Sequence, residues 1–209
     1  MVDSESLVLF FLASLLLALA PGPDNIFVLA QSAQKGKSAG LVVTLGLCTG
    51  LIVHTTAVAF GVAAIFQTST IAFNVLKYTG AAYLLYLAWQ AFHTQGEQFT
   101  MPESDPAEKW KLYRRGIIMN VTNPKVSIFF LAFLPQFVDP ARGSIILQMY
   151  TLGFVFIVAT ILVFGAISLA AGTIGEKLRK SQRAQLVLDR MAGTIFAALA
   201  IKLAITERL

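Results

Sequence analysis

The 209-residue chain predicts an all-α integral membrane protein with six transmembrane helices in two inverted three-helix repeats, helices 1 and 4 being broken. Three observations lead there. First, 56% of the residues are hydrophobic and only 13% are charged, about half the usual ~25% of a soluble domain. So few charges cannot cover a water-facing surface, which excludes soluble globular, disordered and nucleic-acid-binding readings. Second, six apolar stretches approach the ~20 residues that cross a bilayer. Third, the stretch that opens each half is interrupted near its middle by Pro, Gly and Asn.

In order, the spans fall near 6 to 31, 40 to 64, 70 to 92, 116 to 137, 145 to 172 and 187 to 206. Asp3 and Glu5 give the N-terminus no basic signal-peptide region, so the first span is expected to be retained. Span 1 is broken at Ala20, Pro21, Gly22, Pro23, Asp24 and Asn25, where two prolines remove backbone donors. In span 2, Gly46, Gly50, His54, Ala57 and Gly61 recur at helical spacing and form one small-residue face suited to close packing. Thr79, Tyr83, Tyr86 and Gln90 put a polar stripe on span 3. The polar segment 93 to 115, with Gly96, Pro102, Asp105 and Pro106, reads as a linker between repeat one (1 to 92) and repeat two (116 to 209) of a single transmembrane domain. Three spans being odd, the second repeat crosses in the opposite sense to the first. Span 4 is broken at Asn120, Thr122, Asn123, Pro124 and Lys125. Thr160, Phe164 and Ser168 on span 5 say little, and Gly193, Ala197, Ala200 and Ala204 on span 6 point to tight packing.

Basic residues set the orientation. Lys35 and Lys37, then Lys109, Lys111, Arg114 and Arg115, then Lys177, Arg179, Lys180, Arg183 and Arg190 all fall in the first, third and fifth connections. By the positive-inside rule these connections are cytoplasmic and both termini lie outside. The net charge of +5 therefore orients the chain in a membrane.

The breaks carry the chemistry. Asn123-Pro124 reads as an N-cap followed by an N1 proline, and Gly22-Pro23 serves the same way. Two helix N-termini inside the bilayer favour a carboxylate, and the carbonyls that end the preceding half-helices favour a cation or ammonium, so a zwitterion suits such a site. A charge at mid-membrane costs at least about 2.5–3.5 kcal/mol. Asp24 is thus expected to bind a substrate ammonium or carry a proton, and Lys125 to neutralise Asp24 or meet a carboxylate. The alternatives are a structural Asp24–Lys125 pair, a Lys125 that reaches an interface, and kinks that serve packing alone. His54 is either a proton relay or a hydrogen-bonded structural histidine. The single cysteine, Cys48, reads as a buried hydrophobe. No nucleophile elbow, zinc-protease helix, phosphate-binding loop or metal cluster occurs, so no enzyme activity, resident metal or cofactor is expected.

Leu19-Ala20-Pro21-Gly22-Pro23-Asp24-Asn25, then Gly36, Gly40, Gly46 and the run from Gly50 to His54, resemble the signature of the lysine exporter and homoserine/threonine exporter (LysE/RhtB) family. So do the segment from Gly80 to Leu87 and Asn120-x-Thr122-Asn123-Pro124-Lys125, followed by Phe129, Pro135 and Gln136. The resemblance covers nearly the whole chain. It implies a small exporter in a bacterial inner membrane that moves amino acids or their derivatives by alternating access, coupled to protons. Homo-oligomers are compatible with so small a carrier. Some relatives carry an acidic residue where this chain has Leu51, which favours a neutral substrate such as threonine, homoserine, homoserine lactone or leucine. An exporter of metal or other small ions with the same fold is the alternative, and one His and one Cys in the spans would make a poor soft-metal site. A membrane enzyme or thiol carrier would need reactive groups at mid-depth that the sequence lacks.

Overall fold

The computed structural model describes residues 2–20, 22–68, 70–93 and 109–171, and scattered positions between 186 and 204. Pro21, most of the linker and half of the sixth apolar stretch lie outside the described residues; on the small-residue face of that stretch Gly193 and Ala200 are buried, Ala197 is half-buried and Ala204 is exposed. The described chain is helical: α1 (Ser4–Leu19), α2 (Pro23–Lys35), α3 (Lys37–Thr68), α4 (Thr70–His93), α5 (Lys109–Val121), α6 (Pro124–Ile128) and α7 (Ile145–Ala170). Between α6 and α7 the helix widens into a π turn over Phe129–Phe133 and tightens into a 3-10 turn over Leu134–Phe137. Pro135, which has no N–H to continue an α ladder, lies where the wide turn ends.

Lys37–Gly61 within α3 and the whole of α7 are long and apolar enough to cross a membrane by themselves. Two bent pairs qualify when each is counted as one span, α1 with α2 (62°) and α5 with the Pro124–Phe137 segment (51°). The structure thus carries two to four candidate spans, with both expected breaks among them. The α5 helix begins at Lys109, inside the stretch read as linker from sequence. Its first turns are charged, so the helix runs past the apolar segment that hydropathy detects.

Capping fixes the helix ends. Asp3 accepts from Ser6 N (2.8 Å) at the start of α1, and Ser144 accepts from Leu147 N (3.3 Å) at the start of α7. Between α2 and α3 the chain turns at Gly36, whose φ of +86° disfavours any side chain. The turn before α7 is held by Gln148, whose amide donates to Asp139 O (2.8 Å) and Gly143 O (3.3 Å) while its oxygen accepts from Asp139 N (3.1 Å).

Two apolar clusters hold the bundle. The larger joins α1, the π and 3-10 turns and α7 through Phe10, Phe129, Phe130, Phe133, Phe137 and Phe156. Phe10 and Phe137 meet edge to face at 5.2 Å, as do Phe130 and Phe156 at 5.1 Å, a geometry worth about 0.5–1.5 kcal/mol per pair beyond burial. The smaller joins α2, α3, α5 and α7 through Phe27, Val28, Val43, Leu47, Leu112 and Phe164. Helix α3 crosses α5 at Gly46 and Gly116, where a methyl group on Gly46 would overlap Tyr113 O and one on Gly116 would come 2.5 Å from Val43 O. In lipid, where lipid tails are as apolar as the helices, such close backbone contact is a main source of helix adhesion.

The small-residue face of α3 is only half used. Gly46 and Gly50 are buried, His54 is half-buried, and Ala57 and Gly61 are exposed. The reason is that α5 stops at Val121, and beyond it α3 loses the partner those residues would have packed on.

Candidate substrate site at the two helix breaks

At the first break α1 ends with Ala20 N bonded to Leu16 O (3.0 Å). The backbone then extends through Gly22, which caps α2 without a side chain, and Pro23 takes the first helical position. Asn25 reaches back across the break, its Nδ2 donating to Ala18 O (2.7 Å). In the first turn of α2, Asp24 is buried, with 4% of its surface exposed. At the second break Asn123 accepts from Lys125 N through Oδ1 (3.0 Å), and Pro124 opens α6. The cap and proline arrangement expected from the sequence is therefore present at both breaks.

The breaks meet. Lys125 Nζ donates to Ala20 O (2.9 Å) and Leu17 O (3.3 Å), so an ammonium from α6 closes the carbonyl end of α1. A side chain on Gly22 would crowd it, because a Cβ there would lie 3.1 Å from Nζ. Lys125 and Asp24 do not come within ion-pair distance; among the described residues the ion pairs are Arg142 with Asp3 and Asp139. Asp24 instead faces Asn120, whose Nδ2 lies 3.5 Å from Oδ2, a long contact. On α3, Gly50 makes room for Asn120, since a methyl group there would come 2.6 Å from Oδ1. One turn further, His54 Nε2 lies 3.1 Å from Asn120 O, with its ring beside Phe130.

Four buried polar atoms at this junction lack a hydrogen-bond partner: Asp24 Oδ1, Asn25 Oδ1, Asn120 Oδ1 and Asn123 Nδ2. Each such atom costs about 1–3 kcal/mol unless something pairs with it. Three oxygens suit an ammonium. The Asn123 amide and the first N–H groups of α2, which no side chain caps, suit a carboxylate.

Of the residues singled out from sequence, Gly22, Pro23, Asp24, Asn25, Asn120, Asn123, Pro124 and Lys125 lie at the two breaks, and His54 lies against Asn120; Pro21 is outside the described residues. Lys125 serves the α1 carbonyls, which the sequence reading had left for a substrate ammonium. The polar stripe of α4 does not face a buried space: Thr79, Tyr86 and Gln90 are exposed and Tyr83 is half-buried. Cys48 is a buried free thiol. The sequence offered no reading for Gln31 or for Gly116, which pairs with Gly46, and little for Thr160 and Ser168 on span 5; Gly116, Gln31, Thr160 and Ser168 are all buried. The i, i+8 spacing of Thr160 and Ser168 was the available signal.

A helical membrane protein that sets two broken helices against each other around an unpaired polar centre has the build of a solute carrier. A family model described as "LysE type translocator" matches residues 15–207, and the chain belongs to this family, whose members are transporters and not enzymes. It is 32% identical over 187 residues to a homoserine/homoserine lactone efflux protein of Salmonella typhi, covering 90% of each chain. The protein of the same name in Salmonella typhimurium is 31% identical over the same share. An uncharacterized membrane protein of Vibrio cholerae is 29% identical over 97% of this chain and 98% of its own. No solved structure matches.

Proposed function

We propose that this protein exports a neutral amino acid or derivative of the homoserine type across a bacterial inner membrane, driven by the proton gradient. The carrying observation is the junction of the two breaks, with buried Asp24, Asn25, Asn120 and Asn123 offering unpaired acceptors and a donor to one small zwitterion. The efflux relatives, at 31–32% identity over most of the chain, support the substrate class. In this reading the α2 N-terminus at Gly22/Pro23 and the Asn123/Pro124 break hold the carboxylate, Asp24 and Asn25 face the ammonium, and Asp24 or His54 exchanges the proton. Lys125 positions the break rather than the substrate. An inverted repeat rocking about this site is supported by reciprocal packing, in which α3 of the first half lies on α5 and α1 lies on α7.

The test is efflux of a panel of preloaded labelled amino acids from proteoliposomes, with and without an imposed proton gradient. Gradient-dependent release of one neutral amino acid is expected. Asp24→Asn should abolish gradient-driven export while the protein still folds, and normal export by a well-expressed Asp24→Asn protein would remove the coupling role. If no amino acid moves through folded protein, the substrate class is wrong.

A further inference from the structure

We infer that the seam between α2, α3 and α7 is the polar route by which the substrate reaches the two breaks from the end of the bundle that carries Lys35 and Lys37. Besides Asp24, Thr55 and Gln148, five side chains with polar groups are buried in these three helices: Gln31 (4% exposed), Ser32 (3%), Thr44 (3%), Thr160 (2%) and Ser168 (1%). Ser32 bonds to Val28 O (2.7 Å) and Thr44 to Gly40 O (2.9 Å). Gln31 Oε1, Thr160 Oγ1 and Ser168 Oγ have no hydrogen-bond partner. Three unpaired polar atoms more than nine-tenths buried are costly for a seam that serves only adhesion, because Ala or Val at each position would avoid about 1–3 kcal/mol.

The groups form a ladder. Gly40 of α3 stands between Ser32 of α2 and Ser168 of α7: a methyl group on it would overlap Ser32 Oγ and come 2.6 Å from Ser168 Oγ. Ser32 of α2 and Ser168 of α7 therefore meet beside Gly40 of α3, whose carbonyl accepts from Thr44. From Ser32 back to Asp24, and from Ser168 back to Thr160, the step is the same eight residues, or about 12 Å of helix. Gln31 lies seven residues from Asp24, hence on the same face of α2. The ladder thus starts near the basic end and descends along α2 to the buried carboxylate. In this structure it is shut, with Phe27, Val28 and Phe164 packed beside it. A hydroxyl and amide lining of this kind suits a small zwitterion that gives up part of its hydration as it moves inward.

The inference rests on the exporter reading for its substrate but not for its water access, and the experiment separates the two. In a Cys48→Ala background, Ser32→Cys, Thr160→Cys and Ser168→Cys are compared with Leu169→Cys, which lies on the exposed face of α7 (63%). A charged, membrane-impermeant thiol reagent is applied to inside-out vesicles. The three seam thiols should react at least about tenfold faster than the Leu169→Cys thiol, since thiols kept in apolar surroundings are inert. Saturating homoserine should slow them, and modification should stop efflux. Seam thiols no more reactive than Leu169→Cys, in protein that exports, would overturn the route alone. Reactive seam thiols that homoserine does not protect, in protein that moves no amino acid, would keep the route and overturn the substrate class.

Discussion

Lys125 shows how a single side chain links distant parts of the sequence. Its ammonium fills the place at the end of α1 where a free cation would otherwise satisfy the carbonyls of Leu17 and Ala20. Lys125→Met leaves both carbonyls unpaired inside the bundle. It should destabilise the protein by about 1.5–3 kcal/mol, the range for a bond to a charged group, and reduce export at least tenfold because the break no longer holds its geometry. Thermal unfolding in detergent and efflux from proteoliposomes read the two effects. Lys125→Gln, whose amide can still donate, should recover part of both. Gly22→Ala should act in the same direction, since its Cβ would meet Nζ at 3.1 Å. Wild-type export by Lys125→Met would show that the cap is dispensable. The breaks themselves were legible in the sequence because Pro, Gly and Asn encode backbone geometry within a few residues. The bond from Lys125 to Ala20 was not, because it joins positions 105 residues apart and no local pattern announces it.

At the level of elements, the crossing of α3 and α5 places Asn120 beside Asp24. Gly46 and Gly116 bring the two backbones together, and Gly50 leaves room for the Asn120 side chain. Gly46→Leu or Gly116→Leu forces the helices apart and should cost about 1–3 kcal/mol as overpacking, read as a lower melting temperature. Because the same movement shifts Asn120, KM for export should rise as well. A substitution at Gly61, which is exposed and has nothing near its Cβ among the described residues, should change neither. Spacing revealed the glycine face of α3 but not its extent, since the partner's end decides that and α5 ends at Val121. Hydropathy likewise started the fourth span at 116, whereas the helix begins at Lys109, because a helix continues through charged turns that a hydropathy window scores as loop.

Across the whole molecule, two long-range contacts tie ends of the bundle to one another. Arg142, in the turn before α7, lies 3.6 Å from Asp3, so the N-terminus and that turn share one end. The Ser6 backbone N–H holds the Asp3 carboxyl below the usual carboxylate range, which favours the ionised form that Arg142 meets. With Asp139 also bonded to it at 3.0 Å, Arg142 adds little net positive charge to that end. Arg115 of α5 stacks over the Phe27 ring of α2 at 4.7 Å, which joins the basic start of α5 to the half of the bundle that leads to Lys35 and Lys37. Positive charge thus collects at one end, which in the proposed orientation, set by the positive-inside rule, faces the cytoplasm. In a Cys48→Ala background, Ser4→Cys and Ala141→Cys should react with an impermeant thiol reagent on intact cells with the outer membrane permeabilised, and Ser38→Cys should react only in inside-out vesicles. Labelling of Ser4→Cys and Ala141→Cys from opposite faces would contradict the Asp3–Arg142 contact and hence the fold. Labelling of both from the cytoplasmic face alone would leave the fold intact and reverse the orientation, and the seam of α2, α3 and α7 would then open outward as the route of release.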